Sequence, residues 1–465
     1  MTMSPDAAEG HGYPPGPSLP SLVQTALFLR RPFEFVRSCQ HRYGDIFTLR
    51  ILTAGRVVYL ADPQAVRQLL ALDGRQAHAG DPNSLLAPVT GRRSILLLDR
   101  DDHLAERRML TPAFHGEAIR QLEVVAREAA EREETRWPND EPIRSRPAMQ
   151  RITFEIITRA VLGVDDPRLR DRLLELFEPV FTASVLAGAT VVGTDLGRLS
   201  PGGRFKRHVA RLDAAIFELI ARRRAGPERR DVLGLLIAAR DAQGHPLTDR
   251  HIRDELVTLL LAGHETTATA LAWALERLAR HPGVLHALRE EIRQEQTELL
   301  DAVIQETLRV RPVVMDVARR LSASVELCGH NLPAGTIVMP AIYLVHLDSR
   351  NYECPQNFLP DRFADGTDVA TYLPFGGGRR RCLGAALALM EMRVVLSTLI
   401  ARRRPEPTDP RDERARLRGV TFVPEHDAEL IMRPVQPQAK VGVEAGFTTL
   451  LKRSLVSSES GRRQR

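Results

Sequence analysis

The stretch between Thr248 and Pro282 limits most what this chain can become: over 32 residues it holds one glycine, Gly263, and no proline. Strong helix formers fill it, Thr248 or Asp249 can cap its start, and His281-Pro282 stops it. A helix of that length spans about 48 Å at 1.5 Å per residue. Residues 256–262 and 268–275 are apolar on most sides, so the helix must run through an interior. Burying it takes a large helix-rich body, and 465 residues with 43% hydrophobic content supply one. Midway, Gly263-His264-Glu265-Thr266-Thr267 interrupts the apolar run with polar groups.

Around this element the pattern is mainly α with small β-sheets, an α+β fold. Residues 102–282 read as helical, with Ala-, Leu-, Glu- and Arg-rich runs punctuated by Gly and Pro. Two β-like runs, 46–51 and 56–61, flank Thr53-Ala54-Gly55 and predict a hairpin; short β-like pieces return at 336–343, 419–423 and 429–433. Tyr13 to Pro20 is a stiff, proline-rich lead-in. Residues 22–29 predict a short amphipathic packing helix, and the polar tail after Val435 predicts disorder. Length alone suggests two domains.

Net charge is formally +6, and Lys206, Lys440 and Lys452 are the only lysines, so arginine carries nearly all of it. Acidic residues are interleaved almost everywhere, which argues against nucleic acid and leaves a solvated surface or a basic face for an acidic partner. Cys39, Cys328, Cys354 and Cys382 form no C-x-x-C pair, which excludes zinc knuckles and iron–sulfur ligation and fits a reducing cytoplasm. No stretch approaches the roughly 18 apolar residues of a spanning helix, and residues 1–11 lack the apolar core of a signal peptide. A soluble cytoplasmic monomer without a membrane anchor is expected.

The chemistry concentrates at Leu373-Pro-Phe-Gly-Gly-Gly-Arg-Arg-Arg-Cys-Leu-Gly384. Phe375, Gly376, Gly378, Arg380, Cys382 and Gly384 stand at the spacing F-G-x-G-x-R-x-C-x-G. Residues 385–399 lack Gly and Pro and predict a helix, so Cys382 lies just ahead of a helix N-terminus, where free N–H groups and the dipole favour a thiolate. Glycines let backbone approach the sulfur closely. A lone cysteine beside a Gly-rich turn is ordinarily structural, and a phosphate loop would need G-x-x-x-x-G-K-[ST]. Six fixed positions at about one in ten each arise by chance in well under one such chain in a thousand.

That segment resembles the haem-binding loop of cytochromes P-450, and other motifs of the family follow in order from the proline-rich lead-in to about Val435. Glu306-Thr-Leu-Arg309 is similar to its E-x-x-R, and Phe358-x-Pro-x-Arg-Phe363 to the segment supplying a third member, Arg362. Ala262-Gly-x-Glu-Thr-Thr267 is similar to the oxygen-activation motif, His103-x-x-x-Arg107 to a propionate-binding motif, and Ala388 and Glu391 continue the cysteine pattern. The resemblance implies one domain over 13–435, with 1–12 and 436–465 as disordered termini, and haem b (iron protoporphyrin IX) bound between the long helix and the cysteine loop. Cys382 becomes the axial ligand and Phe375 part of the loop; His103, Arg107, Arg319 and Arg380 face the propionates. Glu306, Arg309 and Arg362 form a buried structural triad. Glu265 and Thr266 deliver protons to dioxygen, with Glu265 reaching solvent and Gly263 letting the helix open.

The implied reaction inserts one oxygen atom of dioxygen into a lipophilic small molecule such as a fatty acid, terpenoid, steroid or polyketide. Its pocket is expected from Leu259, Ala262, Val313, Val314, Val317 and Phe422, which are largely apolar. Electrons are expected from NAD(P)H through a reductase and a separate ferredoxin or flavodoxin, docked near Arg379, Arg380 and Arg381. Three other readings compete: a haem-thiolate isomerase or dehydratase, a peroxygenase, and a non-catalytic haem sensor.

Overall fold

The computed structural model describes residues 12–52, 54–183, 200–241, 243–364 and 371–435. The terminal segments expected to be disordered lie outside the described residues, apart from Gly12. No helix among the described residues is long and apolar enough to cross a membrane.

The long helix spans Asp249–Arg280. Thr248 caps it, its Oγ1 accepting from the His251 N–H at 3.2 Å, and the His281 N–H closes it on the Leu278 carbonyl at 3.2 Å. Leu256, Val257, Leu260, Leu271, Trp273 and Leu275 along it are buried in or beside the principal core. Helix Ser145–Leu162 packs along it. At Gly263 the helix does not open: a Cβ there would stand 2.6 Å from Ile157 Cδ1, so this glycine admits the neighbouring helix instead of breaking its own.

The expected hairpin forms from Ile46–Ile51 and Gly55–Leu60, paired from Ile46↔Leu60 to Ile51↔Gly55. It opens a five-stranded sheet continued by Ile337–Pro340, Arg319–Leu321 and Ala77–His78. The β-like run 336–343 is only half strand: the Ala341 carbonyl accepts from the N–H groups of Leu344 and Val345, and the chain turns into helix Ile342–His346. Strand Thr421–Pro424 gains a partner that the reading of the pattern passed over, Ala415–Arg418, joined through Gly419 at φ +70°. Glu429–Pro434 lies between Pro142–Arg144 and Arg403–Pro407. Helix Ser21–Arg30 departs from expectation. Leu22, Val23, Leu27 and Leu29 are exposed, while Gln24 is buried and bonds the Pro17 and Leu19 carbonyls and the Arg50 N–H. Satisfying those backbone groups decides which face turns inward.

Candidate active site

Helix Ala385–Arg402 packs against the long helix, and Cys382 lies three residues before its start. The loop folds back on itself: the Cys382 N–H donates to the Phe375 carbonyl at 2.9 Å, and the Gly376 N–H to Leu373 at 2.9 Å. Gly376 and Gly378 both adopt φ +64°, and a Cβ on Gly378 would fall 2.5 Å from Asp73 Oδ2 and 2.7 Å from the Leu70 carbonyl. Cys382 is exposed to solvent yet deeply set. Protein mass around it pushes its thiol up, while the Gly384 N–H, Arg107 and Arg381 favour the anion.

Most of the long helix beyond residue 251 is buried, but Ala262 is exposed, and Leu261, Gly263 and Thr266 are half-buried. Ala262 and Thr266 are one turn apart, so they open the same face. Thr266 donates to the Ala262 carbonyl at 2.6 Å. Its neighbour Glu265 turns the other way. Buried at 1% exposure, it accepts from Arg146 at 3.1 Å and from Gln150 Nε2, and Arg146 bonds Asp427 at 2.6 Å. Glu265, expected to reach solvent, is instead closed in by Arg146, which also holds the partly exposed Asp427. Burial raises the Glu265 carboxyl, and Arg146, Gln150 and Arg418 hold it down. His264 is buried, meets Thr153 Oγ1 at 3.2 Å, and is lowered to about 3 by burial and Arg146, a neutral packing residue.

The four side chains expected at the propionates come together. His103 is buried and lowered to about 4, first by desolvation, then by Arg380, Arg107 and Arg319, with Asp99 opposing. Arg107 donates to the Arg381 carbonyl at 2.7 Å. Arg380 bonds the Ile95 carbonyl at 3.0 Å, the Leu98 carbonyl and Asp99. Arg319 is held in a buried pair with Asp73 at 2.6 Å, as Arg380 is with Asp99. Three guanidiniums against Asp73 and Asp99 leave this wall positive, as two carboxylates of a bound group require. An exposed sulfur with cationic and N–H neighbours, an opened helix face and a positive wall fit a haem, which Cys382 would hold, with His103, Arg107, Arg319 and Arg380 available to its carboxylates.

Glu306, Arg309 and Arg362 meet in one network. Arg309 grips Glu306 through two bonds of 2.7 Å, both at zero exposure, and Arg362 reaches Glu306 at 3.1 Å. Arg309 also bonds the carbonyls of His346, Pro355 and Asn357. His346 couples this network to the cysteine loop: Nδ1–H meets the Arg309 carbonyl at 3.2 Å and Nε2 accepts from the Leu373 N–H at 2.8 Å. Burial lowers His346 to about 3, which keeps the accepting nitrogen free.

The expected pocket residues divide. Ala262, Val314 and Val317 keep exposure, whereas Leu259, Val313 and Phe422 are buried. Phe422 is a correction. Its carbonyl accepts from Trp273 Nε1 at 2.9 Å, its N–H donates to Val313 at 2.8 Å and its ring meets Phe33 at 4.4 Å, so it faces a satellite core. Val420, at the turn beside it, is exposed instead. Arg146, Gln150, Asp427, Asp73, Asp99 and His346 were missed because each lies far in sequence from the group it holds, with no local spacing to mark it.

The chain matches the family model described as Cytochrome P450 over residues 14–430. It is 41% identical over 432 residues to a Mycobacterium tuberculosis protein named as cytochrome P450 135B1, covering 91% of this chain and 92% of that one. It is 39% identical over 426 residues to one from the same species named as cytochrome P450 138, covering 90% and 96%. Among solved structures, a cyanobacterial CYP120A1 with bound retinoic acid matches at TM-score 0.80 and 26% identity, covering 92% of this chain and all of the other. A cytochrome P450DA haem domain matches at TM-score 0.79 and 22% identity, over 91% and 98%.

Proposed function

Since this chain belongs to the cytochrome P450 family and is a haem-dependent monooxygenase, we propose that it hydroxylates or otherwise oxygenates a lipophilic small molecule, holding haem b through Cys382. The observation that carries this reading is the solvent-reachable Cys382 sulfur, set deep behind a glycine loop and ahead of a helix N-terminus. Reductive cleavage of the O–O bond is the chemistry that haem supplies when bound, with thiolate donation favouring it.

The chain's own groups then handle anion, proton and substrate. The Gly384 N–H with Arg107 and Arg381 stabilises the Cys382 thiolate. His103, neutral near pH 7, would donate a hydrogen bond to a haem carboxylate, while Arg107 and Arg380 would supply charge. Thr266 spends its proton on the Ala262 carbonyl, which leaves its oxygen lone pairs to hold a water on the open helix face. Glu265, next to Thr266 in the chain and held by Arg146 and Gln150, is the acid we assign to resupply protons to that water.

Apolar surface at Ala262, Val314 and Val317 supports a fatty-acid, terpenoid, steroid or polyketide-like substrate. The retinoic acid held by the cyanobacterial relative is of that kind. Electrons arrive from NAD(P)H through a reductase and an acidic ferredoxin or flavodoxin. Arg379 and Arg381 flank Cys382 with exposed guanidiniums and support docking on this face, while Arg380 is turned inward and committed to Asp99. Carbon monoxide added to the reduced protein tests the ligand. A strongly red-shifted Soret band that disappears in Cys382→His is expected; a band in the ordinary histidine-ligated position in the unaltered protein refutes the assignment.

A further inference from the structure

Away from the cysteine loop, three side chains with metal-ligating chemistry meet between two helices. His251 and Glu255 stand one turn apart near the start of the long helix, and Glu106 projects from helix Arg100–Leu110. One ligand atom from each lies within 4.8 Å of the other two. Glu106 is 6% exposed and Glu255 fully buried, while His251 is half-buried and keeps access to solvent. His251 Nε2 meets Glu106 at 3.0 and 3.1 Å to its two oxygens. Glu255 differs from every other acidic residue of the long helix: neither of its carboxylate oxygens makes a hydrogen bond of ordinary geometry among the described residues, although the Ile95 N–H and the Glu106 carboxyl face it. Asp254, next to it, is satisfied by Arg253, Arg250 and the Arg93 N–H.

A fully buried carboxylate without a well-formed hydrogen bond or a cationic partner costs several kcal/mol unless it is neutralised. Protonation is one way and a cation is the other. Among the described residues no arginine or lysine bonds Glu255, and Glu106 beside it adds a second negative charge. A divalent ion matches the charge count: two carboxylates and a neutral imidazole sum to zero around it. The geometry matches as well, since tetrahedral ligands at about 2.0–2.1 Å stand about 3.3 Å apart. The His251–Glu106 pair already has that separation, and a Glu255 carboxylate oxygen lies within 4.8 Å of both. One imidazole and two carboxylates suit zinc or manganese in preference to calcium or magnesium. We propose that Glu106, His251 and Glu255 form a structural site for a divalent transition-metal ion of the zinc class, with solvent on the His251 side supplying the remaining ligand.

Position gives the site a purpose. Glu106 shares its helix with His103 and Arg107, so the ion staples the propionate-facing helix to the first turns of the long helix.

The test uses haem-loaded protein stripped with chelator and titrated calorimetrically with Zn2+, then with Mn2+. One equivalent is expected, with affinity falling by roughly 100-fold or more in Glu255→Gln and in His251→Asn. Zn2+ should raise the thermal transition of the unaltered protein and leave that of Glu255→Gln unmoved. Crystals grown with Zn2+ should show anomalous density at the zinc edge among the three side chains. Glu255→Gln replaces an unpartnered acid by a near-isostere and so should fold; because the residue is buried, it leaves surface histidines untouched. An equivalent retained at unchanged affinity in that variant is an adventitious surface ion and overturns the proposal. Absence of binding by either metal, with Glu255→Gln as stable as or more stable than the unaltered protein, assigns the pair to a shared proton and overturns it too.

Discussion

Replacing Arg146 by methionine isolates the charge that holds Glu265. Arg146 is 2% exposed and bridges Glu265 at 3.1 Å and Asp427 at 2.6 Å. Methionine refills much of the arm's volume, so the change is mainly electrostatic. Gln150 stays as a donor, but a neutral amide does not offset a buried carboxylate, and stranding one costs about 3–5 kcal/mol. At about 2.1 cal/mol/K of melting entropy per residue, a chain this long shifts by about 1 °C per kcal/mol, so the transition should fall by about 3–5 °C. The deficit depends on pH. Burial already raises the Glu265 carboxyl, and losing Arg146 raises it further. A folded state that binds the proton more tightly than the unfolded chain loses stability as pH rises from the ordinary carboxyl range through the folded value. The gap between variant and unaltered protein should thus be small near pH 5 and full by pH 8. Thermal melting of haem-loaded protein at one scan rate across that range measures it. Adding Glu265→Gln should recover most of the loss. A double variant as unstable as Arg146→Met alone, or a deficit flat with pH, would refute the reasoning.

Thr266→Ala should divert reducing equivalents to hydrogen peroxide; peroxide formed per NAD(P)H consumed checks it, and fully coupled turnover removes the role given to Thr266. Gly378→Ala meets both an unfavourable φ of +64° and the Asp73 and Leu70 oxygens, so haem retention after gel filtration should drop well below that of a Gly384→Ala control, where nothing lies within 4 Å. Arg379→Glu with Arg381→Glu should slow electron transfer from an acidic ferredoxin and flatten its dependence on salt; an unchanged salt slope moves the docking face elsewhere. His103 and His346 are lowered to about 4 and about 3, so below the usual histidine value of 6.5 the unfolded chain binds protons that the folded chain refuses. Stability should fall as pH drops from about 6.5 toward 4, and a His346→Asn melting series with the same acid slope as the unaltered protein would contradict this.

Much of this molecule is local in its chain. The long helix is specified by its propensities and by Thr248 and His281-Pro282, and the structure begins and ends it within a residue of those stops. The Glu306–Arg309 pair sits three apart on one face, and the cysteine loop carries its glycines where backbone must turn with positive φ. Such features depend on neighbours a few residues away, so spacing alone reveals them. Tertiary structure decided the rest, because burial and charge pairing are set by groups far off in the sequence. Glu265 looked free to reach solvent until Arg146 and Gln150, more than a hundred residues earlier, turned it inward. Gly263 read as a weak point in a helix and proved to be the seat of Ile157. Phe422 was drawn off the pocket by Trp273 and Phe33, and Arg319 found Asp73 as a partner from a distant part of the chain. A side chain's type says what it can do; the dielectric and partners that the fold brings to it say which of those things it does.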